Sequence, residues 1–339
     1  MTVTVPLYDI FGDNFVITLA SLTSNARRTL DSVEFDEREL RDALLTASEV
    51  AKAREGAGKF DFPRSGNDKR SFSASLKCFN IPEGTPVSTA LEKVANSLSP
   101  QPSCEEVSSL SMLKPEFYEY ARTPGFYGGR KTGIEVSPTY VMLSVAGWVL
   151  SRLGRAPVAN REYVGVYAFP IDIDRKFSTI PSLLKSLGNG MIPGTEPATA
   201  LSIWLASKML ESKAIVDQVM LYFMSEPGGQ SPARVTSGQI VSVERLVKHK
   251  KFSDVHKTAE IIARRALSPD PWECDKGGFS VRFSNLLFEV LTGSRREVEL
   301  TYFANREYMS WRNSDDDKKK ECLDYYKSAS SIANKVAEV

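Results

Sequence analysis

Two periods of apolar residues run along the chain, one helical and one extended. After the start signal Gly12-Asp13-Asn14, Phe15, Leu19 and Leu22 recur at helical spacing. Glu37 to Arg54 carries charge at the same spacing and stops at Gly56, predicting a second helix. The following stretch, EGAGKFDFPRSGNDKRSFS over 55–73, is dense in glycine, proline and mixed charge and predicts a mobile loop. A short helix is expected over Ser88 to Leu98, then a Ser/Pro-rich connector. Thr132 to Val136 suits a strand. Residues 140–153, YVMLSVAGWVLSRL, are apolar on every side and predict a buried helix stopped by Gly154. Tyr163 to Phe169, YVGVYAF, is β-branched and aromatic on both faces, which predicts a central strand.

The segment 187–197, LGNGMIPGTEP, holds three glycines and two prolines and marks the expected domain boundary. Beyond it a helix over Ala198 to Glu211 and a strand over Val219 to Met224 are followed by mostly helical patterns. These cover 240–250, 254–267, 281–292, 297–309 and 316–337. The fold class is therefore α+β: a mixed N-terminal domain over 1–190 and a predominantly helical C-terminal domain over 191–339.

Composition narrows the function classes. At 339 residues the chain is long for one core, which favours two domains. The net charge of +1 gives no bulk attraction to a polyanion, so any nucleic-acid role must rest on local patches. Cys78, Cys104, Cys274 and Cys322 are scattered and form no CxxC pair, so reduced intracellular thiols are expected. The N-terminus has no basic and apolar signal pattern, and the longest apolar run falls short of the roughly 20 residues that span a bilayer. A cytoplasmic protein away from membranes is the expectation. Four glutamines in the whole chain hint at a thermophilic source.

No enzyme signature is visible: GxxxxGK[ST], HExxH and GxSxG are all missing, and nothing calls for a metal or cofactor. Asp172 and Asp174 could share one strand face around a metal, but no third ligand is near and Arg175-Lys176 compete for the charge. Two other places carry more. The stretch 124–133, PGFYGGRKTG, joins glycines to Arg130 and Lys131, with Phe126 and Tyr127 as stacking or wedging rings. It suits a phosphate-gripping loop and equally an ordinary hairpin. From Arg245 to Arg265 seven cations face only Asp254 and Glu260. That excess suits phosphate neutralisation, and also a solvated helix face. Arg64, Lys69 and Arg70 form a smaller group in the 55–73 loop.

Three stretches together resemble the large subunits of type I CRISPR interference complexes, in their short archaeal type I-A form. They are LYDIFGDNFVITLASL at the start, SPTYVMLSVAGWVLSRLGRA with REYVGVYAFPID, and FSVRFSNLLFEVLTGSRREVELTYFANREY near the end. The resemblance implies a non-catalytic subunit of a crRNA-guided Cascade surveillance complex. Such a subunit reads the protospacer-adjacent motif in duplex DNA and helps to hold the displaced single strand. It also implies other CRISPR subunits, crRNA and a recruited nuclease-helicase as partners. The family lends no residue roles, so these come from local chemistry. Arg130 and Lys131 with Phe126 or Tyr127 are candidates for the duplex grip, as are Arg64, Asn67, Lys69 and Arg70. Lys248, Lys250, Lys251, Arg264 and Arg265 are candidates for the displaced strand's backbone. A structural adaptor that binds only proteins is the alternative, and a nuclease centred on Asp172 and Asp174 a third reading.

Overall fold

The computed structural model describes residues 1–4, 10–29, 31–57, 62, 66–101, 103–113, 135–158, 162–173, 175–188, 190–225, 234–312 and 320–338. The fold is α+β, with a helical C-terminal region. It divides into two compact units, both discontinuous in sequence: 1–155 with 164–191 and 219–240, and 156–163 with 192–218 and 241–339.

In the first unit, β1 (Thr2–Thr4), β2 (Arg27–Arg28) and β3 (Ser32–Glu34) pair antiparallel in the order β1-β3-β2, with Val3 opposite Val33. Helix α1 (Ile10–Ala20) buries Phe15, Val16 and Leu19 completely. Helix α2 (Glu37–Gly56) starts at Asp36, whose carboxylate accepts the backbone N–H groups of Arg38 and Glu39 at 3.0 Å. Helices α3 (Gly66–Cys78) and α4 (Val87–Asn96) follow, then the short pair β4 (Val107–Ser108) and β5 (Glu135–Val136). The apolar run is α5 (Pro138–Ser151), capped by Ser137, and every residue in it is buried. It packs on α1 so closely that only glycine fits at position 147: a Cβ there would lie 1.8 Å from the Phe15 carbonyl oxygen.

A four-stranded sheet of order β6-β7-β8-β9 is built from Arg152–Pro157, Tyr163–Pro170, Gln218–Ser225 and Arg234–Ser242. β7 and β8 run antiparallel with Val166 opposite Phe223, and β7 is buried apart from Tyr163, as its double-sided apolar pattern predicts. The short helix α6 (Ile180–Ser186) completes this unit, its Lys185 reaching Glu49 of α2 at 2.6 Å.

The second unit holds α7 (Ala198–Ser212), α8 (Glu244–Lys248), α9 (Lys250–Leu267), α10 (Phe279–Leu291), α11 (Glu297–Arg312) and α12 (Lys320–Ala337). α9 packs on α7, α10 and α12, and α11 packs on α12. Its core is aromatic. Phe279 stacks on Phe303 at 5.3 Å and meets Tyr326 at 4.4 Å, and Trp311 stacks on Tyr326 at 5.1 Å. The Tyr326 hydroxyl donates to the Cys274 carbonyl at 2.8 Å, which satisfies the one polar atom this ring brings inside.

Three local expectations change. Residues 66–73 are not loop but the start of α3, because Phe72, Ser75 and Leu76 bury one helical face. Residues 240–242 end strand β9, and helix begins only at Glu244. The cysteines are not free: Cys78 pairs with Cys104 and Cys274 with Cys322, with Cα atoms 5.7 and 5.0 Å apart. Separations of 26 and 48 residues hide that proximity in the sequence. Among the described residues no helix is long and apolar enough to cross a membrane.

Candidate nucleic-acid interface

The basic cluster folds as α8 and α9. Within α9, Phe252, Val255, Ala259, Ile262, Ala263 and Ala266 recur at helical spacing and are buried, which fixes the opposite side as the solvent face. Three cations lie there at seven-residue intervals: Lys250, Lys257 and Arg264, all exposed. Seven residues advance a helix by about 10.5 Å and turn it by only about 20° from register. The three therefore form one stripe along the helix, with Ile261 exposed between them.

The predicted cations differ in what already holds them. The Lys250 and Lys257 side chains make no ion pair among the described residues. Arg264 reaches Glu260 at 2.8 Å, and Glu260 also accepts the Lys208 ammonium from α7 at 2.9 Å. That carboxylate is only 10% exposed, so its charge is matched from two sides and locks α9 to α7. Burial alone would lower the Lys208 pKa, but hydrogen bonds to Glu211 and Glu260 outweigh it and hold the ammonium above its ordinary value. Lys248 pairs with Glu244 one turn earlier in α8. Lys251 turns inward and donates to the Val336 carbonyl at 2.7 Å, capping the C-terminal end of α12. Arg265 is exposed with its guanidinium 4.4 Å from the centre of the Trp272 ring.

Of the cations that sequence reasoning named in this cluster, the structure exposes Lys248, Lys250, Arg264 and Arg265, while Lys251 serves the fold. That reasoning counted Lys257 in the cluster without naming it as a contact, although the seven-residue spacing from Lys250 to Arg264 passes through it.

Lys69 and Arg70 belong to the first unit, exposed on α3 rather than in a loop. Lys69 lines a groove of about 460 Å³ together with Glu55, Phe62, Phe72, Glu83 and Pro86. Two carboxylates in the same lining make that groove a poor seat for a polyanion. Asn67 falls within α3, but its side chain, like Arg64, lies outside the described residues. So does the whole of PGFYGGRKTG, and with it Phe126, Tyr127, Arg130 and Lys131.

Asp172 lies two residues beyond the end of β7 and is exposed, its carboxylate accepting the Ile173 N–H at 2.7 Å. Asp174 lies outside the described residues. No group of three or more His, Cys, Asp or Glu side chains among the described residues has the geometry to hold a metal ion.

Comparison with known proteins places this surface in a context. No curated protein matches the chain. The family model described as "CRISPR-associated protein, CsaX" matches residues 33–308, from β3 through most of α11. The match spans both units and most of the sequence, and the chain therefore belongs to the CsaX family of CRISPR-associated proteins.

Proposed function

We propose that the protein is the non-catalytic large subunit of a crRNA-guided DNA surveillance complex of the type I-A kind, reading the protospacer-adjacent motif and stabilising opened target DNA. Membership of a CRISPR-associated family supports the setting. The observation that carries the DNA contact is the stripe Lys250–Lys257–Arg264. Three exposed cations on one rigid helix face offer phosphate contacts without base-specific geometry. That is the chemistry needed to hold a displaced strand whose sequence is read elsewhere by pairing to the guide. Arg130 and Lys131, with Phe126 or Tyr127, remain the candidates for the duplex grip beside the motif. Other CRISPR subunits, crRNA and a recruited nuclease-helicase are the partners in this reading.

The test is a salt titration of binding to duplex, single-stranded and forked DNA with magnesium present. Each lysine lost from the stripe should lower the salt slope by about one. Lys250→Ala with Lys257→Ala should therefore flatten it by about two, with no strand cleavage in either protein. Unchanged slope in the double variant would remove the stripe from the interface.

One observation favours a protein-binding adaptor instead. On α11, Val298, Tyr302 and Met309 are exposed on one helical face, Tyr302 to 68%. Their neighbours are internally neutralised, Arg295 by Glu289 and Glu299 and Arg306 by Glu307. Absence of binding to every DNA probe at low salt would make this face the better guide to function.

A further inference from the structure

The groove of about 460 Å³ in the first unit joins an apolar floor to acidic sides. On α3, Lys69, Phe72, Ser73 and Leu76 follow one another at helical spacing and share the face that lines it. The last turn of α2 contributes Glu55, and the turn before α4 contributes Glu83. Phe72, Leu76 and Val87 are buried and form the floor, while Lys69 and Glu83 stand exposed at the rim. Phe62 adds a second ring, edge-on to Phe72 at 5.4 Å and tilted against Trp148 at 4.9 Å.

Both carboxylates are fixed in place by neutral donors. Glu55 accepts the Ser88 N–H at 3.1 Å and the Ser88 hydroxyl, at the start of α4. Glu83 accepts the Ser73 hydroxyl at 3.1 Å. Its turn is closed by the Thr85 N–H on the Pro82 carbonyl at 3.3 Å, with Gly84 at φ +80° where such a turn favours glycine. Neither Glu55 nor Glu83 meets a cation among the described residues, and each carboxylate has acceptor capacity beyond these bonds. The Ser73 and Thr85 hydroxyls already donate, Thr85 to the Pro82 carbonyl at 2.7 Å. What the lining still offers is two negative acceptors against the single ammonium of Lys69. Such a lining selects donors and positive charge on an apolar stem. A free amino acid would bring its own carboxylate against the two glutamates, whereas a residue within a polypeptide does not. Of the basic side chains, the planar guanidinium bonds carboxylates along its edges and lies on aromatic rings, while an ammonium is a strongly hydrated point charge. The volume lies within the roughly 300–1,000 Å³ of ligand sites and exceeds what one side chain fills, leaving the floor for apolar neighbours.

We propose that this groove docks a protein partner through an arginine flanked by apolar residues, its guanidinium held by Glu55 and Glu83 and its neighbours by the floor. The site lies within the first unit and does not rest on the DNA contact proposed above.

The experiment uses the full chain with methyl-labelled leucine and valine, so that the Leu76 and Val87 resonances report on the groove. The probe is the peptide acetyl-Leu-Arg-Leu-amide, compared with twins carrying citrulline or lysine in place of arginine, and with spermidine. Saturable shifts of the Leu76 and Val87 methyls are expected with the arginine peptide. The citrulline twin, which keeps the shape and loses the charge, should bind about tenfold more weakly. Glu83→Gln keeps an acceptor for Ser73 and should weaken the arginine peptide by about fivefold, the factor of one partly exposed ion pair. Lys69→Met removes the opposing charge and should tighten binding. The proposal is overturned if the arginine peptide leaves the Leu76 and Val87 methyls unmoved, or if the citrulline twin binds as tightly. A Kd unchanged by Glu83→Gln overturns it as well. Equal binding of the lysine twin or of spermidine would also overturn it, since charge alone would then suffice. The citrulline comparison is made on the wild type, so it decides even where a variant fails to fold.

Discussion

Gly147→Ala sets two physical arguments against each other. Alanine in a helix interior is favoured over glycine by about 1 kcal/mol, so propensity alone predicts stabilisation. Packing predicts the reverse. The new Cβ would stand 1.8, 2.4 and 2.8 Å from the O, C and Cα atoms of Phe15. These are backbone atoms, so no rotamer change relieves the overlap. Reaching an ordinary contact requires α1 and α5 to part by about 1.5 Å, and a gap of that order forfeits about half of the dispersion contact across it. Phe15, Val16 and Leu19 are fully buried on α1, and burial of such side chains contributes about 2 kcal/mol each. Losing half of that, less the propensity gain, leaves a net destabilisation of about 2 kcal/mol. Gly56→Ala at the end of α2 is the control, since nothing lies within 4 Å of the methyl it would add and only the propensity gain remains. Urea unfolding followed by Trp fluorescence should show Gly147→Ala lowered and Gly56→Ala raised by up to about 1 kcal/mol. A Gly147→Ala protein as stable as wild type would refute the packing argument.

Two further outcomes concern the second unit and the cross-links. Glu260→Gln removes a mostly buried carboxylate from Lys208, whose side chain is 19% exposed, and from Arg264, which is 57% exposed; the loss should be about 1–2 kcal/mol, mostly from the Lys208 arm. Because the folded Lys208 pKa is raised, its contribution is complete below the ordinary lysine range and is lost as pH rises through the folded value. Glu260→Gln should therefore shallow the alkaline fall in stability, and an unchanged pH profile would show that Glu260 is not what holds Lys208. For the disulfides, mass spectrometry after alkylation in denaturant should find no modified cysteine until a reductant is added. Closing loops of 26 and 48 residues is worth about 3.5 and 4 kcal/mol in the chain-entropy account, so reduction should lower the unfolding midpoint markedly. Four alkylated cysteines without reductant would show the pairs to be open.

Where apolar side chains alone carried the pattern, the sequence was readable. The all-round apolar run became α5, and the two-faced apolar run became the inner strand β7. Gly154, read as a helix stop, serves a different purpose. β6 begins before it, and its missing side chain lets the Gly190 carbonyl approach, where a Cβ would lie 1.7 Å away. α3 was hidden because its inner face uses serine. Ser71 and Ser75 are buried, and the Ser75 hydroxyl satisfies itself on the Ser71 carbonyl at 3.0 Å. A polar residue that supplies its own hydrogen bond looks like loop in a hydropathy pattern. β9 was hidden by Val243 and Leu246, which continue its apolar spacing into α8 as though one helix ran through both.

The candidate interface shows why counting charges overstates what a surface can bind. Along the sequence, Arg245 to Arg265 carries an excess of five positive charges. In the fold, Lys248 is matched by Glu244 and Arg264 shares Glu260, while Lys251 is turned onto the end of α12. Those partners come from the same helix in the first two cases and from a residue 85 positions away in the third. Only the first two are visible from local spacing. Lys250 and Lys257 stay uncommitted, and the half-exposed Arg264 can exchange its contact with Glu260 for a phosphate while Lys208 keeps Glu260 neutralised. The stripe alone then reaches three phosphates, which corresponds to a salt slope of about −2.7 on duplex DNA rather than the about −6 of all seven cations. A measured slope near the larger value would mean that surfaces beyond α9 supply most of the contact.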